Sequence, residues 1–242
     1  MKTVGIIPCR YDSSRFPGKS LVLINGKPMM WHVYQRALES SVLDEVYIAT
    51  DDERIFKVAD KYGLNTIMTS TKHKTGTDRV AEAADQILAD YYVNIQGDEP
   101  LIDPEAIKLV AQAIIDCDNP LVQATNAYSV MQEVSDVVDT NTVKVIMDVN
   151  KKALSYSRHP IPFPKAKIAK YHKQLGLYAF KKSGLEVFSE NPPANLEKTE
   201  SVEMYRLLEH GYSIQMVKTN EVSISVDTPS DLKRIQEQFP SV

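Results

Sequence analysis

The sequence predicts a three-layer α/β fold, Rossmann-like, with a mostly parallel central sheet. Three observations carry this expectation. Short apolar runs alternate with longer amphipathic stretches at intervals of about 20 to 50 residues. The amphipathic stretches open on acids or Pro and several close on Gly, as helices do. The chain has 242 residues, 43% of them hydrophobic and 25% charged, enough for a sizeable core.

Val4 to Pro8 reads as a buried strand, followed by a long Pro/Gly/Ser-rich loop to Ser20. Met29, Met30, Val33 and Ala37 have helical spacing, which predicts a helix over 28–40 with Pro28 in its first turn. Val46 to Ala49 is a second strand. Asp51 and Asp52 supply the N-cap and first-turn acids of a helix reaching Tyr62, and Gly63 ends it. Thr66 to Met68 is a third strand. Thr77 to Leu88 is a helix with Val80, Ala83, Ala84 and Ile87 on one face. Tyr91 to Ile95 is a fourth strand, turned by Gly97 to Pro100, and Asp103-Pro104 opens a helix to about Asp116. Past Val122 the pattern changes. Val143–Met147 and Leu154–Tyr156 are short strands joined by a polar turn, and Pro160, Pro162 and Pro164 mark an irregular or edge segment. Leu175–Phe180 is a strand, Leu196–His210 a helix closed by Gly211, Ile214–Val217 and Ser223–Val226 strands, and Pro229–Gln238 a last helix. There is no repeat or linker. The expectation is one domain over 1–242, with 122–180 as a strand-rich insertion or dimer arm.

Composition excludes several function classes. Lys and Arg number 28 against 32 Asp and Glu, a net charge of −4, which argues against a general nucleic-acid binder. Cys9 and Cys117 lie far apart, so neither a disulfide framework nor a structural zinc site is expected. No run of about 18 apolar residues occurs, so no membrane span is expected. The apolar start is too short for a signal peptide, which makes the cytoplasm the expected location.

Ligands in such folds sit beyond the carboxyl ends of strands, where the loops Cys9–Lys19 and Gln96–Pro100 would both lie. Arg10, Arg15 and Lys19 are interleaved there with Ser13, Ser14 and Gly18. Cations neutralise phosphate charge and Gly admits close backbone approach. Ser13 to Ser20 falls short of a P-loop, since Ser13 replaces its first Gly and Pro17 lacks an N–H. The plain alternative is a solvated basic turn. Asp98, at a strand end facing a basic loop, suits Mg²⁺, although Gly-Asp is also a common turn. Asp227 likewise sits before a helix, where either Asp227 or Thr228 suits the N-cap. The turn Thr75-Gly76-Thr77-Asp78-Arg79 offers backbone groups to a base edge, or else a simple N-cap at Thr77.

The runs Ile7–Lys19 and Ile24–Met29 resemble the opening of nucleotidyltransferases that activate sugars. Within them the chain most resembles the CMP-Kdo synthetases, the 3-deoxy-manno-octulosonate (Kdo) cytidylyltransferases. Gln96-Gly97-Asp98-Glu99-Pro100 is the family's own run, and Val226-Asp227-Thr228-Pro229 matches another. Cys9 stands where the family carries Ala. The resemblance implies the three-layer nucleotidyltransferase fold, a cytoplasmic homodimer, and a role in lipopolysaccharide biosynthesis. It implies that CTP is coupled to a Kdo-like 2-keto-3-deoxy acid sugar. The anomeric hydroxyl would attack the α-phosphate in line, giving CMP-sugar and pyrophosphate. Arg10 and Lys19 would hold the phosphates, with Ser13 and Arg15 nearby. Asp98 and Asp227 would bind Mg²⁺, and Thr75, Gly76, Thr77 and Arg79 would lie against the nucleotide.

On the sugar side the resemblance points to Gln96, Arg158, Gln174, Tyr178, Glu203 and Met204. Two of these depart from the family pattern: Gln174 occupies a His position and Met204 a Gln position. Gln for His removes a group that can be cationic, and Met for Gln removes a donor and an acceptor. The expectation is an altered acid-sugar half, suited to an amino-modified Kdo (8-amino-Kdo) or another acid sugar. Sialic acids are disfavoured by the Gln96–Pro100 run. Glu200, Glu203 and Arg206, spaced at i, i+3 and i+6, are expected on one helical face. The alternative from another class is a non-catalytic nucleotide-binding protein.

Overall fold

The computed structural model describes residues 1–12, 16–165, 170–220 and 224–238. In chain order these form β1 (Thr3–Cys9), β2 (Leu23–Ile24), β3 (Lys27–Pro28), α1 (Met29–Leu38), β4 (Glu45–Thr50), α2 (Glu53–Lys61), β5 (Thr66–Met68), α3 (Gly76–Gln86), β6 (Tyr91–Ile95) and α4 (Pro104–Ile115). There follow β7 (Val122–Val130), α5 (Val134–Val138), β8 (Lys144–Met147), β9 (Ala153–Ser157), β10 (His172–Lys181), α6 (Lys182–Glu190), α7 (Asn195–Glu200), α8 (Tyr205–Glu209), β11 (Ser213–Lys218) and α9 (Pro229–Gln238).

The main sheet runs β11-β7-β10-β6-β1-β4-β5. β1 pairs in parallel with β4 and β6, β4 with β5, and β11 with β7. β10 is antiparallel to both of its neighbours, β6 and β7. The period-2 alternation of a strand sends β1 residues to opposite faces. Val4 and Ile6 join a core with Val80, Tyr92 and Phe180, whereas Ile7 and Cys9 join one with Val33, Ile48 and Ile107. Both faces of β1 are therefore covered, which is why it reads as a continuous apolar run.

The strands expected at 4–8, 46–49, 66–68, 91–95 and 214–217 are present, as is the helix Pro229–Gln238. Asp52 caps α2 by accepting from the Arg54 N–H at 2.8 Å. Pro28 is not in the first turn of α1. It is the extended N-cap residue and closes the β2–β3 hairpin. Thr75, not Thr77, caps α3, in a reciprocal capping box with Asp78.

Four of the departures from the sequence reading have a local reason. β7 was hidden because both of its faces are buried and both carry polar side chains. Thr125 Oγ1 donates to the Val110 carbonyl at 2.7 Å, and Asn126 Nδ2 to the Leu175 and Leu177 carbonyls at 2.8 and 3.1 Å. α6 carries Gly184, a poor helix former, where a Cβ would stand 2.5 Å from the Gln123 carbonyl oxygen. The helix expected over 196–210 is broken between α7 and α8 by Ser201, which is left-handed at φ 52°. Arg158 accounts for the break: Nε takes the Glu200 carbonyl at 2.7 Å and Nη2 the Ser201 carbonyl at 3.3 Å. Ile224 to Val226 is irregular rather than strand, although the Val226 N–H donates to the Asp98 carbonyl at 2.8 Å.

The segment 122–180 carries the extra strand-rich part, and it is tied into the main sheet. Its first and last strands, β7 and β10, lie inside the main sheet. Between them the β8–β9 hairpin joins the sheet through β10. Its base rests on Lys144, fully buried, whose ammonium donates to the Asp139, Thr142 and Arg158 carbonyls at 2.6 to 2.8 Å.

Candidate active site

A cleft of about 550 Å³ opens beyond the carboxyl ends of β1 and β6, between the first turn of α3 and the α7–α8 segment. Topology dictates this position: the loops after two adjacent parallel strands diverge and leave a crevice. Gly97 forms part of its floor. A Cβ there would stand 2.9 Å from both Cys9 Sγ and the Pro8 carbonyl oxygen. The Cys9 thiol beneath is buried, and loss of solvent pushes its pKa up to about 12, so it is a packing group rather than a nucleophile. Gly97→Ala is expected to destabilise the protein by about 1–3 kcal/mol. A urea unfolding curve checks this, and an unchanged midpoint would show that the floor can yield.

Lys19 follows Gly18, which adopts φ 68° and donates its N–H to the Tyr11 carbonyl at 2.8 Å. This turn carries Lys19 Nζ to 2.5 Å from Asp98 Oδ2 and 3.1 Å from Asp227 Oδ1. Burial pulls the lysine pKa down, but the two carboxylates more than offset it, so the net shift is upward and the ammonium stays charged. Thr228, not Asp227, caps α9: its Oγ1 accepts from the Asp231 N–H at 3.2 Å, and the Asp231 carboxylate accepts from the Thr228 N–H at 2.9 Å. That leaves the Asp227 carboxylate to face Lys19. Arg10 lines the same cleft and is exposed. Ser13 and Arg15 lie outside the described residues.

Thr75, Gly76 and Arg79 line the opposite wall. The N-terminus of α3 is already filled by this chain's own groups. The Glu203 carboxylate accepts from the Gly76 and Thr77 N–H at 3.2 and 3.0 Å. Asp78 accepts from the Thr75 N–H at 3.3 Å. These N–H groups are engaged, so this helix start is not an open anion site. Burial pushes the Glu203 pKa up, against the pull of those hydrogen bonds. Thr77 is buried, with its Oγ1 accepting from Asn94 Nδ2 at 3.1 Å. The Arg79 guanidinium is paired with Asp51 at 2.8 Å and bonded to Thr69 at 2.5 Å.

The residues expected on the sugar side divide. Gln96 and Glu203 line the cleft. Gly176 makes room for Gln96, since a Cβ there would approach the glutamine Cγ to 2.8 Å. Gln174 donates to the Tyr178 hydroxyl at 2.7 Å. Burial, with the Glu203 charge, holds that phenol's pKa well above its ordinary value. Arg158 is not among the cleft's lining residues, because its guanidinium is taken up by the Glu200, Ser201 and Thr140 carbonyls. Met204 departs furthest from expectation: it is fully buried in the core and does not line the cleft.

Glu200, Glu203 and Arg206 do not share a face, because the chain breaks at Ser201. Glu200 accepts from Ser157 Oγ and the Arg158 N–H at 3.1 and 2.9 Å, whereas Arg206 pairs with Glu197 and Asp78, both at 2.5 Å. Sequence reasoning missed His73, Lys74, Lys198 and Ser201 as lining residues. Only the basic pair His73-Lys74, directly before the Thr75–Thr77 turn, left a signal that could have been read.

A family model described as cytidylyltransferase matches residues 4–218. The 3-deoxy-manno-octulosonate cytidylyltransferase of Syntrophobacter fumaroxidans is 44% identical, over 97% of this chain and 96% of its own. That of Solibacter usitatus is 42% identical, over 98% and 94%. A solved structure of CMP:2-keto-3-deoxy-manno-octonic acid synthetase complexed with CTP superposes with a TM-score of 0.92 at 38% identity, covering 98% of both chains. A cytidylyltransferase from Leptospira borgpetersenii shares the fold, at TM-score 0.66 and 16% identity, over 100% of this chain and 89% of that one. With this fold, this cleft and full-length relatives at such identity, the chain belongs to the cytidylyltransferases, among the 3-deoxy-manno-octulosonate cytidylyltransferases.

Proposed function

We propose that the cleft couples CTP to Kdo, giving CMP-Kdo and pyrophosphate. The observation that carries this reading is the convergence of Lys19, Asp98 and Asp227 beside Arg10 at the strand ends. The anomeric hydroxyl at C2 of the sugar attacks the α-phosphate in line, and pyrophosphate leaves. Arg10 and Lys19 lie where they can offset charge on the phosphates as the bond to the leaving group breaks. Thr75, Gly76 and Arg79 wall the nucleotide. The N–H groups of this turn are engaged, so its contacts to the base fall to carbonyl and hydroxyl oxygens. Gln96 and Glu203 face the sugar, with Gln174 and Tyr178 fixing the β10 end behind them.

Asp98 and Asp227 fit a divalent cation. Their oxygens already converge on one positive atom, at 2.5 and 3.1 Å, and an all-oxygen set suits Mg²⁺. Bound there, Mg²⁺ would supply charge to the phosphates and make the sugar hydroxyl more acidic. The reading also includes the cytoplasm as the location and lipopolysaccharide as the destination of the product. A homodimer would form through the 131–171 stretch, where Val134, Val138 and Phe163 stand exposed beside an apolar groove.

Burial of Met204 removes one of the two positions on which an altered sugar preference rested, and this favours Kdo itself. Pyrophosphate release with CTP, Mg²⁺ and a panel of Kdo, 8-amino-Kdo and a sialic acid tests the point. Turnover is expected to be highest with Kdo. Higher turnover with another acid would restore Gln174 as a specificity residue. Binding of CTP without turnover on any of them would favour the non-catalytic alternative.

A further inference from the structure

The Lys19 ammonium stands where the proposed metal would stand, and the surrounding structure is built to keep it there. Asp98 is held through its backbone, whose carbonyl accepts from the Val226 N–H at 2.8 Å. Asp227 is held through its own N–H, which donates to Asp231 Oδ2 at 3.3 Å in the capped start of α9. The two carboxylates are thus fixed by main-chain contacts from opposite ends of the sequence. The third member reaches them on a four-carbon stem with freely rotating bonds. Side-chain exposures of 15%, 19% and 29% for Lys19, Asp98 and Asp227 place the trio partly out of water, where ion pairs are stronger than at the surface. Of the three groups, the lysine is the one free to leave.

We propose that, before nucleotide arrives, Lys19 holds the cation position between Asp98 and Asp227. The divalent metal then enters only when the nucleotide phosphates draw the ammonium away. This inference rests on the reading of Asp98 and Asp227 as metal ligands and adds an order of events to it. Two carboxylates already satisfied by an ammonium offer free Mg²⁺ little gain, since binding must first break two contacts. Phosphates reverse the balance. They would attract Lys19 and Arg10 on the same loop, and the vacated carboxylates of Asp98 and Asp227 would then be open to hold a divalent cation. Lys19 thereby serves twice, as a stand-in cation in the empty cleft and as a phosphate ligand in the filled one. The arrangement also spares the empty protein a pair of partly buried like charges.

The test uses the full chain without nucleotide. Thermal midpoints are followed against Mg²⁺ for the wild type, Lys19→Met, Lys19→Arg and the double variant Lys19→Met/Asp98→Asn. Direct binding is read from water-proton relaxation with Mn²⁺. Lys19→Met is expected to melt lower than the wild type without metal and to recover as Mg²⁺ is added. Its half-saturating concentration should be lower than that of the wild type by about tenfold or more. Lys19→Arg, which keeps a cation in place, should behave as the wild type. Adding Asp98→Asn should abolish the Mg²⁺ response. If Lys19→Met does not fold, Lys19→Gln replaces it. Equal metal affinity of the wild type and the charge-removing variant would overturn the proposal and leave the metal ligands standing. No binding of Mn²⁺ to either, with or without CTP, would overturn both.

Discussion

Asp98→Asn is expected to lower the rate of CMP-Kdo formation by about 10²- to 10³-fold while the thermal midpoint moves little. The substitution keeps the shape of the side chain and removes only its charge. The backbone role of Asp98, accepting from the Val226 N–H, is untouched, so the two loops stay joined. What disappears is the ionic part of the shorter of the two contacts to Lys19, at 2.5 Å, and with it half of the charge of the carboxylate pair. Asp227, at 3.1 Å, cannot replace it, because its position is fixed by the start of α9. Steady-state pyrophosphate release, together with a melting curve, separates chemistry from folding. Activity within tenfold of the wild type would show that Asp98 is not part of the charge apparatus.

Arg206→Met is expected to cost about 3–5 kcal/mol of stability, the penalty of leaving buried carboxylates without their cation. Arg206 is 1% exposed and lies at the junction of four elements. Its guanidinium pairs with Glu197 on α7 and Asp78 on α3, donates to the Phe188 carbonyl on α6 at 3.2 Å, and lies 4.7 Å from the Phe188 ring centroid. Methionine matches the length of the stem but satisfies neither carboxylate. Because Asp78 completes the capping box with Thr75, the loss should reach the nucleotide wall and raise the KM for CTP more than it lowers kcat. Urea unfolding measures the first effect. Partial recovery in Arg206→Met/Glu197→Gln would locate its cause in the stranded charge. A cost below about 1 kcal/mol, typical of exposed pairs, would contradict this account of the junction.

Much of the site was legible in the sequence because its chemistry is local. A strand end, a glycine and a cation within a few residues mark a candidate site without tertiary information, and the structure brings Lys19, Gly97 and Asp98 together in one cleft. Asp227 was legible as a carboxylate, but only the structure shows Thr228 taking the cap and leaving Asp227 to face Lys19. The losses came where distant partners decide. The interior strand β7 hides behind Gln123, Thr125 and Asn126, whose polar groups are satisfied by neighbouring backbone and by Ser183 and Tyr156. The α7–α8 break depends on Arg158, some forty residues upstream of the carbonyls to which it donates. Met204 matched a substrate position by alignment with the family pattern, yet its side chain turns into the core. A motif conveys which residues occur together, but which way each one faces is set by the packing around it.

The central claim is that this cleft joins the α-phosphate of CTP to the sugar hydroxyl. Phosphorus NMR of CTP, Kdo and Mg²⁺ incubated with the protein tests it most directly. The account predicts loss of all three CTP resonances in step, with one new phosphodiester signal and one of pyrophosphate. CTP unchanged in the presence of Kdo, or converted to CDP and inorganic phosphate, would contradict it.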